Sequence, residues 1–224
     1  MKMNKLFILT LLFSLTLSAA DTYWTKIEDK NGLKLFSGPK SDTGIYPFKA
    51  IFTVKHELED VVMVLADTSK KTQWVPRMSK SETLEQKSAD NRVEYGVVNM
   101  PWPLKDRDAI VRILTTVDKT RTHVRLNIQS DMDEQIINKS NIRAKVYPSL
   151  VDIYYLPETK ETLMEIETFV DPKGAIPKWI VNFFQKIEAK RMARQMKRQL
   201  DKNLYSKEQL AEVARVLKEL SLKN

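Results

Sequence analysis

The sequence predicts an α+β fold in which a curved antiparallel sheet carries short helical insertions and is closed by a long C-terminal helix, with one more helix after it. Three observations predict this. Strand-like runs at hairpin spacing fill residues 80–170. Within them "THVRLNIQS" sets Val124, Leu126 and Ile128 against His123, Arg125, Asn127 and Gln129, the pattern of a sheet with one dry and one wet face. From Lys178 to the end of the chain there is neither Gly nor Pro, so the chain finishes in helix.

The elements follow in order. "MKMNKLFILTLLFSLTLSAA" places Lys2 and Lys5 before an apolar run from Leu6 to Leu17 and small residues at 18–20, the anatomy of a cleaved export signal over residues 1–20. The apolar run is shorter than the ~20 residues that span a bilayer. "LKLFSG" and "FKAIFTV" alternate as strands around a turn marked by Gly38, Pro39 and Gly44. "HELEDVVMVLAD" changes to helical spacing through Leu58, Val61, Val62 and Leu65. A short helical piece, "TSKKTQWVPRM", carries Trp74 and stops near Pro76.

Strands are then expected at 80–87, 91–99, 109–117, 122–130, 141–147, 150–156 and 161–170. Pro177 opens a helix of roughly 25 residues, about 40 Å long. Ser206 and Gln209 stand at capping-box spacing before a last helix with Leu210, Val213, Leu217 and Leu220 on one stripe. The organisation is therefore a signal at 1–20, one domain at 21–204 and a helical extension at 205–224.

Composition narrows the chemistry. The chain has 224 residues, no Cys, two His and a net charge of +8. Thiol nucleophiles, disulfides and Cys-based metal sites are excluded, and two histidines do not make a multi-histidine centre. No metal or cofactor is expected. No nucleophile elbow, metal spacing or phosphate loop occurs. The basic balance suits anionic lipid or polyanions. Nucleic acid does not fit an exported protein whose basic residues lack interleaved aromatics.

The segment "MPWPLKDRD" is unusual. Trp102 lies between Pro101 and Pro103, where neither a helix nor a central strand can hold it. The loop is stiff and extended, and it fixes one large ring whose indole is suited to an apolar–polar boundary.

"WVPRM", then "VEYGVVNMPWPLKDRD" with its loop closing on Arg-Asp, then "DPKGAIPKWIVNFF" entering the last long helix, resemble in that order the START family. These are the lipid-transfer domains of the helix-grip superfamily. The resemblance covers roughly residues 24–200. It implies a helix-grip fold, the sheet curling around the long helix and leaving an elongated apolar cavity for one lipid. Met100 and Trp102 would then sit at the cavity mouth, with Arg107-Asp108 pinning the loop. Relatives often bury an acid before this loop and an arginine after it. Glu94 matches the acid, whereas Arg112 lies one residue nearer to Arg-Asp than in relatives, an offset that reverses its strand face. A bulge, another partner for Glu94, or no pair at all, with Glu94 simply on the wet face of its strand, are the alternatives.

In the long helix, Ile176, Ile180, Phe183, Phe184 and Ile187 share a stripe, the natural lid over such a cavity. From Ala189 the stripe swings round through Met192, Ala193, Met196 and Leu200, and this second half needs a partner of its own. The last helix folding back over it is one candidate. An anionic membrane surface is the other, met by Lys190, Arg191, Arg194, Lys197 and Arg198. The expected function is binding of a lipid or other apolar small molecule in the periplasm by a monomer, for transport or sensing. The alternative is a cyclase- or hydrolase-type enzyme of the same superfamily, with His123 or Glu94 as acid or base.

Overall fold

The structure is a computed structural model that describes residues 24–131 and 139–223, so the expected signal segment lies outside the described residues. Among the described residues, twelve strands and three α-helices follow one another. The first strands are β1 (Thr25–Lys30), β2 (Leu33–Ser37) and β3 (Phe48–Val54). Helix α1 (Leu58–Ala66) and a 3-10 turn (Thr68–Gln73) precede β4 (Met78–Ser88), β5 (Asn91–Val98), β6 (Arg107–Val117) and β7 (His123–Ser130). The short β8 (Ile142–Arg143) and β9 (Lys145–Val146) lead to β10 (Ser149–Leu156), β11 (Glu161–Thr168) and β12 (Val170–Asp171). Helices α2 (Lys178–Leu200) and α3 (Lys207–Ser221) end the chain.

Nine strands form an open antiparallel sheet in the order β1-β2-β3-β11-β10-β7-β6-β5-β4, and β8 adds to β6 in parallel. β1 has no counterpart in the sequence reading, because "TKIEDK" has a single apolar residue and sits on an edge. Its hairpin is closed by Asn31 and Gly32, both at positive φ, the turn that Asn-Gly favours. The run expected at 141–147 breaks at Ala144, and β9 leaves the main sheet to pair with β12.

The inner face carries Phe52, Val124, Ile153 and Met164, all fully or almost fully buried. Helix α1 turns Leu58, Val61 and Leu65 onto the same core, and α2 adds Ala193, Met196 and Leu200. The expected swing of the stripe along α2 does not occur. Val181, Gln185, Ala189, Met192, Met196 and Leu200, spaced by three and four, form one face along the sheet. Phe183 lies off that face and is 59% exposed.

The last helix also finds a different partner from the one expected. The capping box is present, with the Ser206 side chain on the Gln209 N–H and the Gln209 side chain on the Ser206 N–H. However, α3 packs against α1 and β6 instead of lying back along α2. Leu217 and Leu220 therefore enter the core from the α1 side, and Met196 and Leu200 are covered by the sheet and α1 without them.

Candidate functional site

The first half of α2 does not rest directly on the sheet. A cavity of about 310 Å³ lies between them. Phe48 and Ala50 of β3 and Ile166 of β11 form the sheet wall, and Ile180, Val181 and Phe184 form the helix wall. The sheet residues are inward by register, since Ala50 pairs with Ile166 and Phe48 with Thr168. Small Ala50 where Phe52 stands two residues on leaves the space open at this end and closed at the other.

The loop at residues 99–106 supplies the third wall. Met100 and Leu104 turn into the cavity, where they pack with Ile176 and Val181. Trp102, joined to Pro103 by a cis peptide bond, points outward and is 93% exposed. The Met100 N–H donates to Asp106 Oδ1 at 2.9 Å, and the Leu104 N–H donates to the Pro101 carbonyl at 3.0 Å. Trp179, on the first turn of α2, is 72% exposed, with Phe183 one turn further on. Of the residues expected around the cavity, Met100, Ile180 and Phe184 line it; Trp102, Phe183 and Ile187 do not.

Arg107 joins this loop to the entry of α2. Its guanidinium donates to the carbonyls of Lys105, Pro172 (3.0 Å) and Lys173 (3.1 Å). Burial pushes the guanidinium below its ordinary pKa, with nearby Asp106 opposing. Gly174 follows at positive φ, and a Cβ there would come within 3.2 Å of the Arg107 guanidinium. Asp108 takes no part in the loop. It points to the outer face, where Arg143 Nε donates to it at 2.6 Å and the Tyr95 hydroxyl at 3.2 Å.

The residues from 9 to 204 match the family model described as the START domain. This chain belongs to the START domain family. Bovine phosphatidylcholine transfer protein is 27% identical over 168 residues, 73% of this chain and 77% of the relative. An uncharacterized protein of Pseudomonas aeruginosa is 23% identical over 163 residues, 72% and 78% of the two chains. Human StAR-related lipid transfer protein 5 superposes with a TM-score of 0.75 at 14% identity, covering 84% of this chain and 90% of its own. A STAR-related lipid transfer protein from Xanthomonas axonopodis gives 0.70 at 19% identity, covering 80% and 98%. These two superpositions establish the helix-grip fold of the START domain in this chain.

Glu94, the acid singled out by the resemblance, is paired, but not with Arg112. Glu94, 5% exposed, is on the inner face opposite Val111, whereas Arg112 is opposite Val93 and faces outward to Asp131 (2.7 Å) and Asn91 (2.9 Å). Glu94 instead pairs with Lys71 of the 3-10 turn, and accepts from Arg92 Nε at 2.7 Å and Thr68 Oγ1 at 3.1 Å. Burial pushes its carboxyl up, but Lys71 and Arg92 outweigh burial and hold it below the usual carboxylate range. Burial pushes the Lys71 ammonium down, against the pull of Glu94. Arg92 was detectable in the sequence, because residues two apart on a strand share a face. Lys71 was not: the short helical piece that carries it was expected, but no local signal shows that it packs against β5.

His123 stands on the outer face, away from the cavity. It stacks on Tyr154 at 4.3 Å between ring centres and shares Asp152 with Arg125, at 2.6 Å from each.

Proposed function

We propose that this protein takes up a lipid or other apolar small molecule in the cavity under α2, and carries or senses it in the periplasm without altering it chemically. The observation that carries this reading is a cavity walled by Phe48, Ala50, Ile166, Ile180 and Phe184 between the first half of α2 and the sheet. Each CH₂ moved there from water contributes about 0.8 kcal/mol. At 310 Å³ the cavity is at the small end of ligand pockets, which run from ~300 to ~1,000 Å³. A single acyl chain or a compact ring system fits it more directly than a two-chain phospholipid. The bovine relative is by name a phosphatidylcholine transfer protein, which supports lipid as the ligand class. Export rests on the N-terminal segment "MKMNKLFILTLLFSLTLSAA".

Neither candidate acid or base favours chemistry: Glu94 is held by two cations, and His123 faces the other side of the sheet. Delivery to an anionic membrane surface fits two features. Trp102, Trp179 and Phe183 are exposed and stand within two residues along the chain of cavity-lining Met100, Leu104, Ile180 and Phe184, and indoles suit a membrane interface. On α2, Lys190 pairs with Glu28 and Arg191 with Glu188, while Arg194 and Arg198 are exposed. Native mass spectrometry of protein purified from its own envelope, with extraction of any bound mass, tests the reading. A stoichiometric apolar adduct is expected, and protein that never carries one, even after incubation with envelope lipid, overturns it.

A further inference from the structure

A second cavity of about 180 Å³ lies at the other end of the inner sheet face, roofed by α3. It shares no lining residue with the cavity under α2. Its roof is built from residues beyond 204, where the match to the START domain ends. The walls are apolar: Leu126 and Ile153 from the sheet, Val62 and Leu65 from α1, Leu217 and Leu220 from α3. Two charged side chains line it, Arg92 and Glu212. Glu212 is exposed at the rim and is committed to Arg215 at 2.5 Å.

Arg92 is different. It is 8% exposed, and its Nε donates to Glu94. No hydrogen bond from its two outer nitrogens is found among the described residues, and neither nitrogen is fully buried, so both stay open to a ligand or to water. The charges around it do not balance either. Lys71 and Arg92 both turn to the single carboxylate of Glu94. Asp67, which also acts on Lys71, is occupied by Lys70 at 2.5 Å and the Tyr205 hydroxyl at 3.1 Å. Two largely buried cations thus share one anion, and Arg92 is among the residues that line the apolar pocket.

We propose that the pocket beneath α3 binds a small amphipathic carboxylate, with Arg92 receiving the head and the α1–α3 walls the apolar body. The outer edge of a guanidinium offers two parallel N–H groups, which match a carboxylate in bidentate fashion. The volume corresponds to about six water-sized groups at ~30 Å³ each, so the body is short. A ligand there touches α1, the sheet and α3 together, so occupancy fastens the C-terminal extension to the domain. This site is independent of the lipid reading for the larger cavity.

The test uses the full chain with labelled Ile, Leu and Val methyls, titrated with hexanoate. Saturable shifts are expected at Val213, Val216 and Leu217, with Ile176 and Ile180 unmoved. Hexanol, which has the same body and no charge, should bind at least tenfold more weakly. Arg92→Met should cost hexanoate at least tenfold and remove its advantage over hexanol. Val213→Phe, which fills the pocket from the rim and leaves Arg92 in place, should abolish the shifts and covers the case in which Arg92→Met does not fold. Hydrogen exchange in residues 207–221 should slow with hexanoate present. Equal binding of hexanoate and hexanol, shifts confined to Ile176 and Ile180, or no saturable shift overturns the proposal.

Discussion

Lys71 and Glu94 form an ion pair that ties the turn after α1 to the inner face of β5, with side chains 10% and 7% exposed. Arg92 on the same carboxylate makes the pair asymmetric. Removing Lys71 leaves Glu94 paired one to one, whereas removing the Glu94 charge leaves two buried cations facing each other. Lys71→Met should therefore cost no more than about 1 kcal/mol, while Glu94→Gln should cost about 3–5 kcal/mol, as expected when one partner of a buried charged set is lost. Urea unfolding of the two variants decides it, and equal losses would mean that Arg92 does not take over the carboxylate.

Acid should weaken the protein through its outer face as well. Burial pushes Asp152 up, but Arg125 and His123 outweigh burial and hold its carboxyl below the ordinary range. A carboxyl whose folded pKa lies below its unfolded one stabilises the fold fully above the unfolded value, and that stability is lost as pH falls through the folded value. With an unfolded Asp near 3.9, the loss should set in from about pH 4 downward. Asp152→Asn should be less stable at neutral pH by about 1–3 kcal/mol, and should lose less on further acidification. Parallel acid dependence of the two proteins would remove Asp152 from the cause.

Strand parity marked the offset between Glu94 and Arg112, since the period of two is set by backbone geometry. It left open a bulge, another partner or a wet-face Glu94, and the structure gives a buried Glu94 with other partners. Parity also correctly sent His123 to the face opposite Val124. The helix face was harder to read. Phe183 and Ile187 are apolar and stand beside Phe184 and Ile180, so hydrophobicity alone drew the stripe through them. The true face includes Gln185, whose Nε2 donates to the Val170 carbonyl at 2.7 Å, and Glu188, which accepts from Arg77 at 3.2 Å. Polar side chains that reach partners across the cavity rim can occupy a buried face, and a hydropathy pattern hides them. Trp102 was expected as a ring held at the cavity mouth, and it stands 93% exposed on its loop. That its neighbours Met100 and Leu104 would form the wall depended on the loop's fold against α2, which no local signal carries.

The cavity itself can be tested by two neighbouring phenylalanines. Phe184 lines it and Phe183 is largely in water. Phe184→Glu should abolish binding of a fluorescent fatty acid while lowering the melting temperature only modestly, since a charge at a cavity wall retains some access to water. Phe183→Glu should leave affinity within about twofold, a difference under about 0.5 kcal/mol. Trp102→Ala should keep the affinity and slow uptake from vesicles. If Phe183→Glu and Phe184→Glu impair binding alike, the ligand does not lie where the cavity is.

The C-terminal extension supplies the last expectation. Leu217 and Leu220 are almost fully buried against α1 and the sheet, and burying a leucine is worth about 1.5–3 kcal/mol before the ordering of the helix is set against it. Removing residues 206–224 should therefore uncover α1 and the rim of β6 and cost about 2–4 kcal/mol net. It should not uncover a strip on α2, because Met196 and Leu200 are covered by the sheet and α1 whether or not α3 is present. Hydrogen exchange separates the two cases. Amides of residues 58–66 should lose protection in the shortened chain beyond the global drop in stability, while those of 192–200 should lose no more than that drop. A selective opening of 192–200 would instead mean that α3 lies along α2 in solution.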